Sequence, residues 1–142
     1  MSLSPEQILS RLDDPGTPVV WLDPSLPQEL WDELPALAAQ LGYHVIDLGR
    51  SGPIFDLSSL LQAFGRLLRS SPFFDHSLPS LRDCLLAAEP DTPRGLLILF
   101  PEPDPLRQSD EAAFEEFIEV LETVDEIRRR EGRPGLKAIV RD

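Results

Sequence analysis

The chain has 142 residues, of which 42% are hydrophobic, and its 13 Lys and Arg against 25 Asp and Glu give a formal net charge of −12 at pH 7. This length and composition can bury the core of one domain and exclude a disordered chain. The excess of acids excludes a nucleic-acid-binding module that works through phosphate contacts, because such a surface needs clustered cations, and it argues against an anionic membrane as a partner. A basic protein is the partner that this charge favours.

The cysteine content and the N-terminus give an expectation about the compartment. Cys84 is the only cysteine, so the sequence excludes a disulfide framework and a cysteine-based zinc site. The N-terminus lacks the basic and apolar regions of a signal peptide, and no apolar run approaches the ~20 residues of a membrane span. We therefore expect a cytoplasmic protein. Because no glycine-rich phosphate loop and no HExxH motif occurs, we also expect no cofactor and no metal.

The first part of the chain predicts a helix followed by a short strand. Ser4 is a suitable N-cap, Pro5 fits the first helical position, and Gln7 completes a capping box. Residues 19–22, Val-Val-Trp-Leu, form a short apolar run that is typical of a buried strand.

A second helix and a second strand follow. Residues 26–41 carry leucines at helical spacing. Pro35 lies within them and predicts either a kink or a split into two pieces, because proline removes a backbone donor. Gly42 is suited to end this helix. Residues 43–48 then predict the second strand, and residues 49–53 a loop.

The middle of the chain alternates helices with an apolar strand. Asp56 is a suitable N-cap for a helix with regularly spaced leucines, and residues 78–88 predict a shorter helix. The uninterrupted apolar run 96–100 predicts a central strand that is buried on both faces. Three prolines within residues 101–105 predict a stiff loop.

The last third predicts a long helix and a final strand. Ser109 or Asp110 caps the helix, which reaches about Arg130, and residues 136–140 form the strand. Strands separated by helices favour an α/β layered fold. We expect three to four mostly parallel strands, with the helices packed mainly on one face.

The sequence offers few residues for catalysis. His44 lies within a predicted strand, where a structural role is favoured over a ligand role. Asp75, His76 and Ser77 are the three residue types of a catalytic triad, but a triad is defined by geometry and sequence neighbours rarely line up. No carboxylates are paired at a spacing that requires acid–base chemistry. We therefore expect a protein that is not an enzyme.

Two aspartates raise the alternative of a small phosphoacceptor signalling domain. Asp23 and Asp47 each end a predicted strand, where response-receiver domains place acids. That family also has paired acids after its first strand and a lysine at the end of a late strand. Here Asp23 stands alone and Lys137 begins the last strand, so turn residues are the favoured interpretation.

Two further features have both a structural and a functional interpretation. Cys84 is flanked by Leu81 and Leu85 on the predicted inner face of its helix, which favours a buried, inert thiol over a nucleophile. An acidic stripe on the long helix is either its solvated face or a docking surface. The stripe consists of Glu111, Glu115, Glu116, Glu119 and Glu122.

One segment resembles the inhibitory region of the barstar family, whose members are cytoplasmic protein inhibitors of barnase-type ribonucleases. It comprises residues 72–74, Pro-Phe-Phe, and residues 78–85, Leu-Pro-Ser-Leu-Arg-Asp-Cys-Leu. The order of predicted elements over residues 43–140 agrees with the family. The resemblance implies a single domain in which residues 43–142 form a barstar-like core and residues 1–42 are an N-terminal helix–strand–helix extension.

The resemblance also implies a mode of action. In barstars, acids on this helix and on the loop before it plug the ribonuclease active site, where RNA phosphate would bind. The family's second motif acid falls on Asp83, whereas its first acid falls on Pro79 and its Asn on Ser77.

The loop before this helix matches the barstar pattern at some positions and differs from it at others. Phe73 and Phe74 keep the family's aromatic pair, and Asp75 and His76 are additional polar residues. Together with the loss of one acid, these residues leave open either a shifted contact set or a different partner.

Helical geometry supports an outward direction for Asp83. At about 100° per residue, the three leucines at 78, 81 and 85 share one side of the helix, and Asp83 lies on the opposite side. Pro79 and Leu86 share its outer half and would form a small apolar patch beside the carboxylate.

We therefore predict a barstar-like inhibitor that acts in toxin immunity by occluding the active site of a basic ribonuclease or nuclease toxin. The alternatives are a binding module of the same fold with a non-nuclease partner and the phosphoacceptor domain. The predicted partner-binding residues are Asp83, Asp75, His76, Phe73, Phe74, Pro79 and Leu86.

Overall fold

The structure is a computed structural model and describes residues 4–14, 16–50, 52–67, 77–88 and 93–142. Within these residues the helices are α1 (Pro5–Ser10), α2 (Gln28–Gln40), α3 (Leu57–Leu67), α4 (Leu78–Ala87), α5 (Asp104–Ser109) and α6 (Glu111–Arg130). The strands are β1 (Val19–Leu22), β2 (Tyr43–Asp47), β3 (Gly95–Phe100) and β4 (Leu136–Arg141).

The strands form one parallel sheet of four strands in the order β1-β4-β3-β2. All six residues of β3 are buried between neighbours on both sides, as the apolar run predicted. The predicted fold class, an α/β fold with a parallel sheet, is confirmed.

Two hydrophobic clusters lie on the two faces of the sheet. Alternate residues of β3 enter them: Leu96, Ile98 and Phe100 face one cluster, whereas Leu97 and Leu99 face the other. Buried side chains of α3, α4, α5 and α6 complete the first cluster, and those of α1 and α2 complete the second. Most helices therefore lie on one face, as expected, and the N-terminal segment covers the opposite face.

The first turn of α1 is capped in the way that the sequence predicts. The Ser4 hydroxyl accepts from the Gln7 amide at 3.2 Å, and the Ser4 amide donates to Gln7 Oε1 at 2.9 Å, which confirms the capping box. Of the two outcomes predicted for Pro35, a kink or a split, the split does not occur, because α2 is one helix through that residue. Its buried residues Leu34 and Ala38, on either side of Pro35, pack against the sheet, and this packing outweighs the missing donor.

Two further expectations are corrected. The proline-rich segment is not only a loop, since Pro105 occupies an early position of the short helix α5, where its missing amide would have no helical partner. Trp21 is not buried with the rest of β1 but is 40% exposed. The reason is that β1 is an edge strand, so the Trp21 indole, which packs against Phe114 of α6, has a strand neighbour on one side only.

Candidate functional site on helix α4

Helix α4 presents one apolar side to the core and one polar side to solvent. Ser77 caps its start, with the hydroxyl accepting from the Ser80 amide at 3.2 Å. Leu78, Leu81 and Leu85 are buried in the cluster beneath the helix. The amphipathic arrangement expected for residues 78–85 is therefore confirmed.

The C-terminal end of α4 is held by two arginines that donate to its last carbonyl groups. Arg128 is 1% exposed, and its Nη1 donates to the carbonyl oxygens of Leu85 at 3.1 Å, Leu86 at 3.3 Å and Ala88 at 2.8 Å. Arg133 donates to the same oxygens of Leu86 at 2.7 Å and Ala88 at 3.0 Å. These bonds satisfy carbonyls that a helix end leaves without partners, and they place positive charge at the negative end of the helix dipole.

A buried acid stabilises the same region of α6. Asp125 is fully buried, and its Oδ1 accepts from the Leu136 amide at 3.0 Å while its Oδ2 accepts from Arg129 Nε at 2.9 Å. The Lys137 ammonium lies 3.7 Å from Oδ1. A Cβ at Gly135 would come within 2.2 Å of that oxygen, so the turn into β4 requires glycine there. This cluster joins α6 to β4 beneath the arginines that hold α4.

The polar cluster was missed at the sequence level, although the helical period contains a signal for it. The residues at 117, 121 and 124 are apolar and buried, and Arg128 continues the same 3–4 spacing. Three consecutive arginines at the end of α6 suit its dipole and do not by themselves show that one of them is buried. An arginine at a core-facing position instead predicts a buried cation with carbonyl or carboxylate partners.

The outer face of α4 carries Asp83. Its side chain is 71% exposed, and the nearest cation is its neighbour Arg82, at 3.7 Å and itself 48% exposed. Pro79 is also exposed, whereas Leu86 is half-buried and packs partly against the core. The outward direction expected for Asp83 is therefore found, and no buried arginine neutralises it among the described residues.

Four of the predicted partner-binding residues cannot be placed. Phe73, Phe74, Asp75 and His76 lie outside the described residues. Ser77, the third member of the triad considered above, is the N-cap of α4.

The residues of the phosphoacceptor alternative do not come together. Asp23 follows β1 and Asp47 ends β2, which are opposite edges of the sheet. Three strand spacings separate them, or about 14 Å. Lys137 lies near the start of β4, at the other end of the parallel strands, and beside Asp125. The two acids act in turns, as expected.

The surroundings of these two aspartates shift their pKa values in opposite directions. Hydrogen bonds from the backbone and side chain of Ser25 lower the pKa of Asp23 below its ordinary value. Burial raises the pKa of Asp47, against the opposing effects of the Gly49 amide at 2.9 Å and of Arg50 at 3.5 Å.

The remaining candidates have no chemical surroundings that point to a reaction. His44 is exposed on β2, and Cys84 is half-buried against the core beneath α4. Within the described parts of the chain, no three histidine, cysteine, aspartate or glutamate side chains are grouped to hold a metal ion. In the same residues no helix combines the length and apolar character needed to cross a bilayer.

Comparison with known proteins agrees with this architecture. The sequence profile of the Barstar (barnase inhibitor) family matches residues 45–137, which begin within β2 and end within β4 and include the whole of α4. The chain belongs to the barstar family. A search of curated proteins finds no match. The barstar match leaves out α1, β1 and α2, so the two helices that cover the second face of the sheet lie outside the matched region.

Proposed function

We propose that this barstar-family protein is a cytoplasmic inhibitor that binds a basic ribonuclease or nuclease toxin and occludes its active site with the outer face of α4. Asp83 carries the proposal, because it is the family's second motif acid and its carboxylate is 71% exposed on that face. The protein would act by steric and electrostatic blockade and not by catalysis. Phe73, Phe74, Asp75, His76, Pro79 and Leu86 would surround this anchor.

The charge of the protein supports the encounter. A formal net charge of −12 attracts a cationic enzyme over long range and raises the association rate at low salt. Once the surfaces meet, the Asp83 carboxylate would accept hydrogen bonds from arginine, lysine or histidine in the cleft. Burial of that ion pair strengthens it relative to water, because the surrounding dielectric falls.

The fixed position of α4 supports tight binding. The helix is packed through its three buried leucines and is held at its end by Arg128 and Arg133. A surface that is already ordered loses little conformational entropy on association, and this favours affinity.

Two features of α4 set the specificity that we propose. Pro79 occupies the position of the family's first acid, so one of two expected carboxylates is missing. Arg82 lies beside Asp83 and reduces its negative potential. Both features favour a partner cleft with fewer cations than the enzymes that two acids would fit, and a non-nuclease protein of that kind remains the second candidate.

The test is a titration of a barnase-type ribonuclease with the purified protein, followed by the rate of RNA cleavage. Asp83→Ala should weaken inhibition by about thirtyfold or more, since removing one member of a desolvated ion pair costs roughly 2 kcal/mol or more. The matched control is Glu33→Ala, which removes an exposed carboxylate from α2 on the opposite face of the sheet. Pro79→Asp should strengthen inhibition by restoring the second acid.

Three outcomes bear on the proposal. Equal inhibition by the parent and by Asp83→Ala rules out this site. Equal weakening by Asp83→Ala and Glu33→Ala would assign the effect to net charge alone. If neither the parent nor Pro79→Asp inhibits any basic ribonuclease, the non-nuclease partner is the better hypothesis.

A further inference from the structure

A groove lies between the outer flank of α6 and the edge strand β1, and it has an apolar floor. It encloses about 660 Å³ and is floored by Trp21, Phe114 and Ile118. Trp21 is 40% exposed, and its ring centroid lies 6.0 Å from that of Phe114 in an edge-on arrangement. The Arg107 guanidinium lies 4.7 Å from the Phe114 ring centroid, on the same floor. The groove is therefore a partly open aromatic surface.

One wall of the groove is strongly acidic. Glu111, Glu115, Glu119 and Glu122 line it along α6, with Asp142 nearby. Counting these five acids against Arg107, the groove carries a formal charge of −5 + 1 = −4. In the part of the chain that the structure describes, none of the four glutamates lies within 4.0 Å of a cation. Like charges one turn apart repel one another, and a cationic ligand would relieve that repulsion.

Trp21 of the groove belongs to β1, whose backbone is open on the side away from β4. The Ala138 amide donates to the Pro18 carbonyl at 2.9 Å and the Asp142 amide donates to the Leu22 carbonyl at 2.7 Å, so even-numbered residues of this strand bond to β4. Since bonding direction alternates along a strand, the amide and carbonyl groups of Val19 and Trp21 point away from β4. No described strand pairs with that edge. Open donors and acceptors of this kind can pair with an extended chain.

We propose that this groove is a second docking surface, which binds an extended cationic segment of a partner protein as an added strand beside β1. The backbone of the segment would pair with Val19 and Trp21, and its basic side chains, at alternate positions, would face the glutamates of α6. The aliphatic stems of these basic side chains would pack on Trp21, which lies on the same face as Phe114 of α6. The surface is separate from Asp83, because no residue of α4 lines the groove.

The negative charge of the groove favours a cationic segment over a second copy of this chain as its occupant. Pairing of two copies through β1 would bring two grooves of charge −4 together, which opposes self-association. A cationic segment instead matches the acidic wall. Glu111 and Glu122 are separated by about 16 Å along the helix axis, a distance that about five extended residues span. The probe should therefore be short and should carry cations at alternate positions.

The test uses the full chain and a fluorescein-labelled Arg-Val-Arg-Val-Arg peptide, with binding followed by fluorescence anisotropy at low salt. The double variant Glu115→Lys with Glu119→Lys should weaken binding by about tenfold, because two surface ion pairs are replaced by repulsion. The matched control is Glu29→Lys with Glu33→Lys, which makes the same charge change at the same spacing on exposed positions of α2. This control should retain most of the affinity.

A second measurement isolates the strand pairing. Amide resonances of Val19 and Trp21 should shift on titration with the peptide, and a peptide N-methylated on alternate backbone nitrogens should bind several-fold more weakly. Equal loss of affinity in the two double variants, or equal binding of the methylated peptide, would overturn the proposal. A dimer that is lost in Trp21→Ala would assign the edge to a second copy and would also overturn it. Asp83→Ala should bind the peptide like the parent, so this test is independent of the inhibitory site.

Discussion

Asp83 and Asp125 are both carboxylates in the helical layer over one face of the sheet, yet their surroundings are opposite. Asp125 is fully buried. It accepts hydrogen bonds from the Leu136 amide and from Arg129, and it lies beside the ammonium of Lys137. Asp83 is 71% exposed and lies 3.7 Å from the exposed Arg82. One acid is part of the fold, and the other is available to a partner.

This difference shows why net charge alone identifies no site in an acidic protein. Removing a buried carboxylate strongly destabilises the native state, because its buried donors are left without a partner. An exposed carboxylate contributes little to stability, and its energy becomes large only when a partner removes the water around it.

Asp125→Ala should lower the free energy of unfolding by about 3 kcal/mol, because it leaves the buried Lys137 ammonium without its counter-ion and the Leu136 amide without its acceptor. Urea denaturation followed by circular dichroism measures the loss. The matched control is Glu126→Ala, the next residue along α6, whose exposed carboxylate pairs with Arg130. Its effect should stay within about 0.5 kcal/mol. Similar losses in both variants would contradict the structural role of Asp125.

Arg128→Met should have the next largest effect, and it links the two regions. The substitution keeps much of the buried volume but leaves the Leu85 and Pro134 carbonyls without the bonds they now accept. We expect a loss of about 2 kcal/mol in unfolding free energy, since each buried unpaired carbonyl costs roughly 1 kcal/mol or more. Inhibition should weaken as well, although Asp83 is unchanged, because the end of α4 is less firmly held.

Arg130→Met is the control for this variant, because Arg130 lies two residues along α6, is 73% exposed and pairs only with Glu126 among the described residues. Loss of stability without any loss of inhibition in Arg128→Met would show that the position of α4 does not depend on this arginine. An unchanged midpoint in urea would show that the carbonyls find water instead.

Local sequence signals were sufficient for the elements that position the site. The Ser4 and Gln7 pair predicted the start of α1, and the leucine spacing of α4 predicted which side of the helix Asp83 occupies. These features depend on neighbours within one or two turns, so short-range patterns contain them. The α5 helix was missed because it is short and follows closely spaced prolines.

Long-range features could not be obtained in this way. The exposure of Trp21 depends on β1 taking an edge position beside β4, which is a matter of strand order and not of the apolar run itself. The position of α4 depends on Arg128, a residue 40 to 43 positions away in sequence from the carbonyls that it bonds at the end of that helix. In the sequence, the only sign that Arg128 is buried is that it continues the 3–4 spacing of the apolar residues of α6.

Arg82→Ala should produce a kinetic effect and leave stability unchanged. Removing the cation beside Asp83 raises the local negative potential, so association with a basic ribonuclease should become about twofold to threefold faster at low salt. The gain should disappear at high salt, where the two charges are screened. Stopped-flow fluorescence measures the rate. The control is Arg11→Ala, an exposed arginine that precedes β1 and changes the net charge equally. Equal acceleration by both variants would contradict a local role for the Asp83 surface.

The smallest effects concern Asp23 and Asp47, which repeat the contrast between an exposed and a buried acid at the ends of the edge strands. Burial raises the pKa of Asp47, so its contribution to stability is present below the ordinary value of 3.8 and is lost as pH rises through the folded-state pKa. Hydrogen bonds from Ser25 lower the pKa of Asp23, so its contribution is present above 3.8 and is lost as pH falls through the folded-state pKa.

At neutral pH, Asp47→Asn should therefore melt slightly above the parent, because it removes an incompletely solvated charge, and Asp23→Asn should melt slightly below it. Both differences should shrink on acidification, and melting curves from about pH 3 to pH 7 measure them. A change of the same sign in both variants would mean that total charge governs stability at the sheet ends. Opposite signs would mean that, here as at Asp83 and Asp125, the immediate surroundings of each carboxylate decide its role.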